Sequence, residues 1–128
     1  MCGFAGFFGG DIADRRGTAE KMGERIAHRG PDDSGIFDDG RAALSFRRLS
    51  IIDLDRGVQP MKSEDDRYVI VFNGEIYNFK ELRAELERRG VFFSTSSDTE
   101  VILKSYMTYG KDAVPMLRGM FAFVIYDR

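Results

Sequence analysis

Cys2 is the one cysteine among 128 residues, and its place directly after Met1 opens a route to reactivity that an interior thiol lacks. Methionine aminopeptidases remove Met when the next side chain is small, and Cys qualifies. The exposed α-amine, with a reference pKa of about 7.7 to 8.0, can then act as base for the thiol on the same residue. No histidine partner is required, and His28 is the sole histidine in any case. A lone cysteine in an apolar segment is also a small buried hydrophobe, so the other polar residues must decide. Arg48 carries a planar guanidinium able to make paired, charge-assisted bonds to a carboxylate, though it also suits a surface beside Arg47. Asn73 and Gly74 form a dipeptide common in hairpin turns. Here they follow an apolar run and precede a charge, which reads better as a site at a strand end. Glu75, an acid directly behind a core strand, needs a partner. Asp98 has the place of a helix N-cap and can face a ligand at the same time.

Those residues depend on elements that hold them still. Residues 2–8 read as a buried strand closed by Gly9 and Gly10. A helix is expected over 18–28, capped by Thr18, with Ala19, Met22 and Ile26 on one face. Gly30 and Pro31 stop it, Gly as a left-handed cap and Pro because it cannot continue the helix. Two strands follow near 35–38 and 42–49, joined by a turn at Asp38-Asp39-Gly40. The stretch from 53 to 61 reads as loop. Residues 68–72 are continuously apolar, the mark of a strand covered on both faces. Asn78 and Glu81 have capping-box spacing and open a helix to about Arg89, with Phe79, Leu82 and Leu86 as its stripe. A short strand is expected at 91–94, a helix from Asp98 to Tyr109, a short helix near 112–118 and a last strand over 120–126. The fold class is α+β, in one domain spanning 1–128.

Bulk properties narrow the function. A chain 43% hydrophobic and 31% charged, with net charge -2, is globular and long enough for one cored domain. Its arginine pairs are offset by nearby acids, so no one-sided basic face points to nucleic acid. No apolar run reaches membrane-spanning length, and the glycine-broken start lacks the pattern of a secretory signal. A single thiol excludes an intrachain disulfide and fits a reducing cytoplasm. His28 is assigned to structure, at a helix end.

The opening Met1-Cys2-Gly3-Phe4-Ala5-Gly6 resembles the start of class II glutamine amidotransferases, which are N-terminal-nucleophile hydrolases. Four further stretches carry the same resemblance: 28–32 (His-Arg-Gly-Pro-Asp), 48–53 (Arg-Leu-Ser-Ile-Ile-Asp), 72–78 (Phe-Asn-Gly-Glu-Ile-Tyr-Asn) and 97–100 (Ser-Asp-Thr-Glu). Within that superfamily the wording is most similar to the glutaminase domain of glutamine-hydrolysing asparagine synthetases. The resemblance implies an α-β-β-α sandwich and a site for L-glutamine. In it Cys2 attacks the side-chain amide, and Asn73 and Gly74 supply the oxyanion hole. Arg48 holds the α-carboxylate, and Glu75 and Asp98 receive the α-ammonium. Leu49, Ser50, Ile51 and Ile52 add contacts to the substrate, and the 28–32 loop supports the pocket.

The same resemblance implies further strands and a synthetase domain with a pyrophosphate loop, which this sequence lacks. The sandwich is therefore expected to be incomplete or reduced, with self-association into a homo-oligomer as one way to cover its last strand. ATP and magnesium would belong to the synthetase domain, so no cofactor and no metal site are expected here. The expected function is hydrolysis of glutamine to glutamate and ammonia. The alternatives are a non-catalytic glutamine-binding or self-associating module, and the donor domain of a different class II amidotransferase.

Overall fold

The computed structural model describes residues 2–49 and 58–128. Among these residues, six strands form two antiparallel three-stranded sheets. The first sheet has β1 (Gly3–Phe8), β3 (Ala42–Arg48) and β2 (Asp33–Asp38), with β3 in the middle. The second has β4 (Met61–Lys62), β5 (Tyr68–Ile76) and β6 (Gly119–Asp127), with β5 in the middle. The last strand thus finds a neighbour in β5 along its whole length.

Alternation along β5 holds the layers together. Val69 and Val71 pack with Phe37, Leu44 and Phe46 of the first sheet. Ile70, Phe72 and Ile76 pack on the other side with Leu82, Val101, Ile102 and Leu103. These come from α2 (Phe79–Arg88) and α3 (Asp98–Tyr109). A continuously apolar strand buried on both faces is what the sequence predicts there. The remaining helix, α1 (Arg15–Arg25), covers the outer face of the first sheet. Gly23 lies so close to β3 that a Cβ there would meet Ser45 Oγ at 2.1 Å. The order of layers is α-β-β-α.

Several local expectations are corrected. The first helix starts a turn early because Asp14 caps it, its carboxylate accepting from Gly17 N at 2.9 Å, while the Thr18 hydroxyl donates back to Asp14 O. Asp is the stronger cap of the two. A 3-10 turn at Ala27–Arg29 follows, and Gly30 is extended (φ -153°) rather than left-handed. Glycine is required there for space, since a Cβ would lie 2.5 Å from the Arg47 carbonyl carbon. Asn78 makes no capping bond. Its side chain instead donates to Met116 O and accepts from Arg118 N, tying α2 to the entry of β6. Residues 91–94 are not a strand. The buried Glu100 carboxylate takes the Ser94 and Thr95 amides at 2.9 and 2.6 Å, so that segment is folded onto α3. Met61, read as loop, opens β4, and residues 110–116 form a 3-10 helix.

Gly119 faces the β5 backbone with φ 153°, and a Cβ there would sit 2.0 Å from Glu75 O. Gly119→Ala is expected to lower unfolding free energy by roughly 3 kcal/mol, combining backbone strain with a main-chain clash. Urea denaturation followed by circular dichroism checks this, and an unchanged midpoint contradicts it.

Candidate active site

Cys2 precedes β1 and is half buried against the apolar cluster between the sheets. Its Sγ accepts from Leu49 N at 3.4 Å and lies 4.0 Å from Leu49 O, so the peptide that follows β3 brackets the thiol. Arg29 Nε donates to the Cys2 carbonyl at 3.2 Å. The Asp32 amide donates to Arg48 O at 3.0 Å. The 28–32 loop thereby ties the start of β1 to the end of β3. Its close passage over Arg47 is the reason for Gly30. His28 lies exposed in the 3-10 turn that follows α1.

The second half of the site is the edge of β5. Asn73 and Gly74 are not a turn and not a strand end; the strand runs through them, opposite Ala122 and Phe121. The hydrogen-bonding direction along β5 alternates. Tyr77 N donates to Arg118 O across the β5–β6 ladder, so odd-numbered amides face β6 and even-numbered amides face the β4 side. β4 pairs only with Val69 and Ile70. Beyond it, two even amides are taken by side chains. Phe72 N donates to Gln59 Oε1 at 2.6 Å, and Ile76 N donates to Asp98 Oδ2 at 3.2 Å. The amide between them belongs to Gly74, which is solvent-exposed and, by the same alternation, faces the β4 side beyond the last β4 pair. Gly74 has φ 147°, and a Cβ would lie 2.1 Å from Met120 O, so only glycine fits.

Both halves lie toward one end of the sandwich. The Phe8 and Phe37 rings meet Tyr126, with centroids 5.6 and 6.1 Å away, and Tyr126 pairs with Val69. That marks one end. Toward the other, Gln59 spans the gap: its carbonyl abuts Gly35 in β2 while its side chain holds Phe72 in β5. Cys2, Arg48 and Leu49 lie past Gly35 in the first sheet. Asn73, Gly74 and Glu75 lie past Phe72 in the second, with Asp98 on the next amide. Seven sequence-predicted residues, on three segments and one helix, therefore lie toward the same end of the sandwich. Ser50, Ile51 and Ile52 fall outside the described residues. Sequence reasoning missed Gln59 and Arg29 as individual contributors. Gln59 sits in a stretch read as loop, and nothing periodic marks it.

Ser97, not Asp98, caps α3, its Oγ accepting from Glu100 N at 3.2 Å. Asp98 is thus released to reach β5. Burial, with the nearby charge of Glu75, raises its carboxyl above the ordinary value of 3.8, against the opposing pull of the Ile76 and Thr99 amides. Two acids at one strand end invite a cation between them. Among the described residues, no group of His, Cys, Asp and Glu is arranged to hold a metal, and no helix is long and apolar enough to cross a membrane.

Residues 1–128 match the family described as glutamine amidotransferase domain. The chain belongs to that family. It is 50% identical over 132 residues to asparagine synthetase [glutamine-hydrolyzing] 1 of Bacillus subtilis (strain 168), covering all of this chain and 21% of that protein. It is 43% identical over 129 residues to asparagine synthetase B [glutamine-hydrolyzing] of Escherichia coli (strain K12), covering 99% of this chain and 23% of that one. The chain thus spans about a fifth of the length of these relatives and carries their glutamine amidotransferase domain. The fold is also that of the glutamine phosphoribosylpyrophosphate amidotransferase from B. subtilis complexed with ADP and GMP. That structure superposes with a TM-score of 0.78 at 24% identity, over 99% of this chain and 35% of that one. The α-β-β-α order of layers expected from the sequence is the one observed.

The raised Asp98 carboxyl has a sign. Folding favours its protonated form, so its contribution to stability is present at low pH and is lost as pH rises through the raised pKa. Asp98→Asn is expected to remove that loss, so the variant gains stability relative to wild type between about pH 4 and pH 7. Urea midpoints of both proteins at the two pH values check this, and a difference independent of pH contradicts it.

Proposed function

We propose that this chain hydrolyses L-glutamine to L-glutamate and ammonia through a γ-glutamyl thioester on Cys2. The observation that carries the reading is the exposed Gly74 on the β5 edge, between two amides held by side chains, at the end of the sandwich where the Cys2 thiol lies. An oxyanion hole needs a donor fixed in place before the reaction.

The chemistry runs as follows. Met1 is removed and the Cys2 α-amine takes the thiol proton. The sulfur attacks the glutamine side-chain carbonyl carbon, and the oxygen gains negative charge beside the Asn73 amide and the Gly74 N–H. Collapse breaks the C–N bond, the ammonium of Cys2 returns its proton to the leaving nitrogen, and ammonia departs. Water, deprotonated by the same amine, attacks the thioester; glutamate leaves and the thiol is restored. Arg48 pairs with the α-carboxylate of the substrate, while Glu75 and Asp98 take its α-ammonium. The resemblance of the 48–52 stretch assigns Leu49, Ser50, Ile51 and Ile52 to backbone contacts with glutamine. Fixing both charged ends of glutamine places its amide carbon against sulfur, which is where most of the rate gain from positioning arises. The relatives' names support one destination for the ammonia, amide formation in a longer asparagine synthetase, and a reducing cytosol suits the lone thiol.

Ammonia release by the Met1-processed chain is expected to vanish in Cys2→Ala. Asn73→Ala is expected to lower kcat by roughly 100- to 1000-fold with KM little changed, as for loss of one oxyanion donor. A glutamine-mimicking diazo ketone is expected to add once, at Cys2, by intact-mass and peptide analysis. Equal ammonia release from wild type and Cys2→Ala, or no adduct on folded, processed protein, overturns the reading.

A further inference from the structure

We infer that Gln59 is a positioning residue for the oxyanion-binding edge, an inference that rests on the glutaminase reading. The register of β4 on β5 pairs Met61 with Ile70 and Lys62 with Val69. Carried two residues further, the same register sets Gln59 opposite Phe72. A main-chain partner at that position would pair the Phe72 amide and continue the ladder toward Gly74. Gln59 ends the ladder instead. Its main-chain carbonyl is turned to the other sheet, where Gly35 has no room even for a Cβ, which would lie 2.0 Å away. Its side-chain oxygen takes the Phe72 amide at 2.6 Å, and its Nε2 donates to Thr99 Oγ1 at 3.4 Å. A side chain reaches one amide and stops, so Gln59 holds Phe72 and leaves the next amide on that edge, that of exposed Gly74, beyond its reach.

The same side chain sets direction. Thr99 follows Asp98 in the first turn of α3, and Asp98 holds Ile76. Gln59 and Asp98 therefore grip β5 on either side of Gly74, one amide away in each direction. Gln59 is 8% exposed. A buried amide of this kind persists only where its polar atoms are matched, and here both are. A merely structural Gln would stabilise the fold equally well with β5 shifted slightly. A positioning Gln sets where the Gly74 N–H points, and a small misplacement there falls on the transition state rather than on substrate binding.

The test compares Gln59→Met, Gln59→Glu and Thr99→Val in the Met1-processed chain, by glutaminase kinetics and by amide hydrogen exchange. In Gln59→Met, kcat is expected to fall about tenfold or more with KM within about threefold, because geometry and not affinity is lost. Phe72 exchange is expected to quicken about tenfold, while Val71 and Asn73, which face β6, stay within about threefold. Gln59→Glu keeps an acceptor for Phe72 and is expected to recover kcat and Phe72 protection at neutral pH to within about threefold of wild type. If Gln59→Met does not fold, Thr99→Val decides, with kcat expected to fall about threefold or more. Unchanged kcat in a folded Gln59→Met, parallel losses in kcat and substrate affinity, or failure of Gln59→Glu to rescue overturns the inference. A wild type that releases no ammonia counts against the glutaminase reading alone, and the exchange data then decide the role of Gln59: equal Phe72 exchange in wild type and Gln59→Met sinks it.

Discussion

The ladder between β4 and β5 stops after two residue pairs, and the rest of the site depends on that stop. A strand edge must satisfy its amides or expose them. Here the even-numbered amides beyond β4 are divided: Gln59 holds one, Asp98 another, and the Gly74 amide between them is held by neither. The opposite edge of β5 is fully paired with β6, so the strand cannot twist freely to hide that amide. The backbone itself enforces glycine there, because Met120 O leaves no space for a side chain.

The first sheet solves a different problem, holding a chain start in place. Strand β1 is an edge strand whose first peptide would fray without anchors. Arg29 grips the Cys2 carbonyl, the Leu49 amide faces the sulfur, and Gly30 lets the intervening loop lie flat on Arg47 and Arg48. The 28–32 loop thus holds Cys2 by its main-chain carbonyl. Burial and electrostatics meet at Asp98, whose carboxyl is raised above its ordinary range by the same packing that brings it to β5.

The strand framework was legible because burial leaves a pattern in the chain. The run at 68–72 identifies a strand whatever its partners, and the apolar stripe of α2 identifies a helix. Caps were less legible. Thr18, Asn78 and Asp98 are all competent cap residues, yet Asp14 displaced the first, Met116 and Arg118 drew off the second, and Ser97 displaced the third. A cap is a local choice between nearby polar groups, and tertiary neighbours change which choice wins. The 91–94 segment failed as a strand for a related reason: the buried Glu100 carboxylate took its amides.

By itself the sequence determined residue chemistry and order: a lone thiol behind Met1, an arginine at the end of a strand, an Asn-Gly-Glu set following a core strand, and an acid at the start of a helix. These follow from side-chain type and short-range spacing. The tertiary structure alone decided that the Asn73 and Gly74 pair lies within a strand, that its amide faces the open edge, and that Gln59 from a polar stretch closes the ladder just before it. Which way an amide points depends on strand parity and on where a neighbouring strand ends. Both are set by residues far away in the chain, so no local pattern records them.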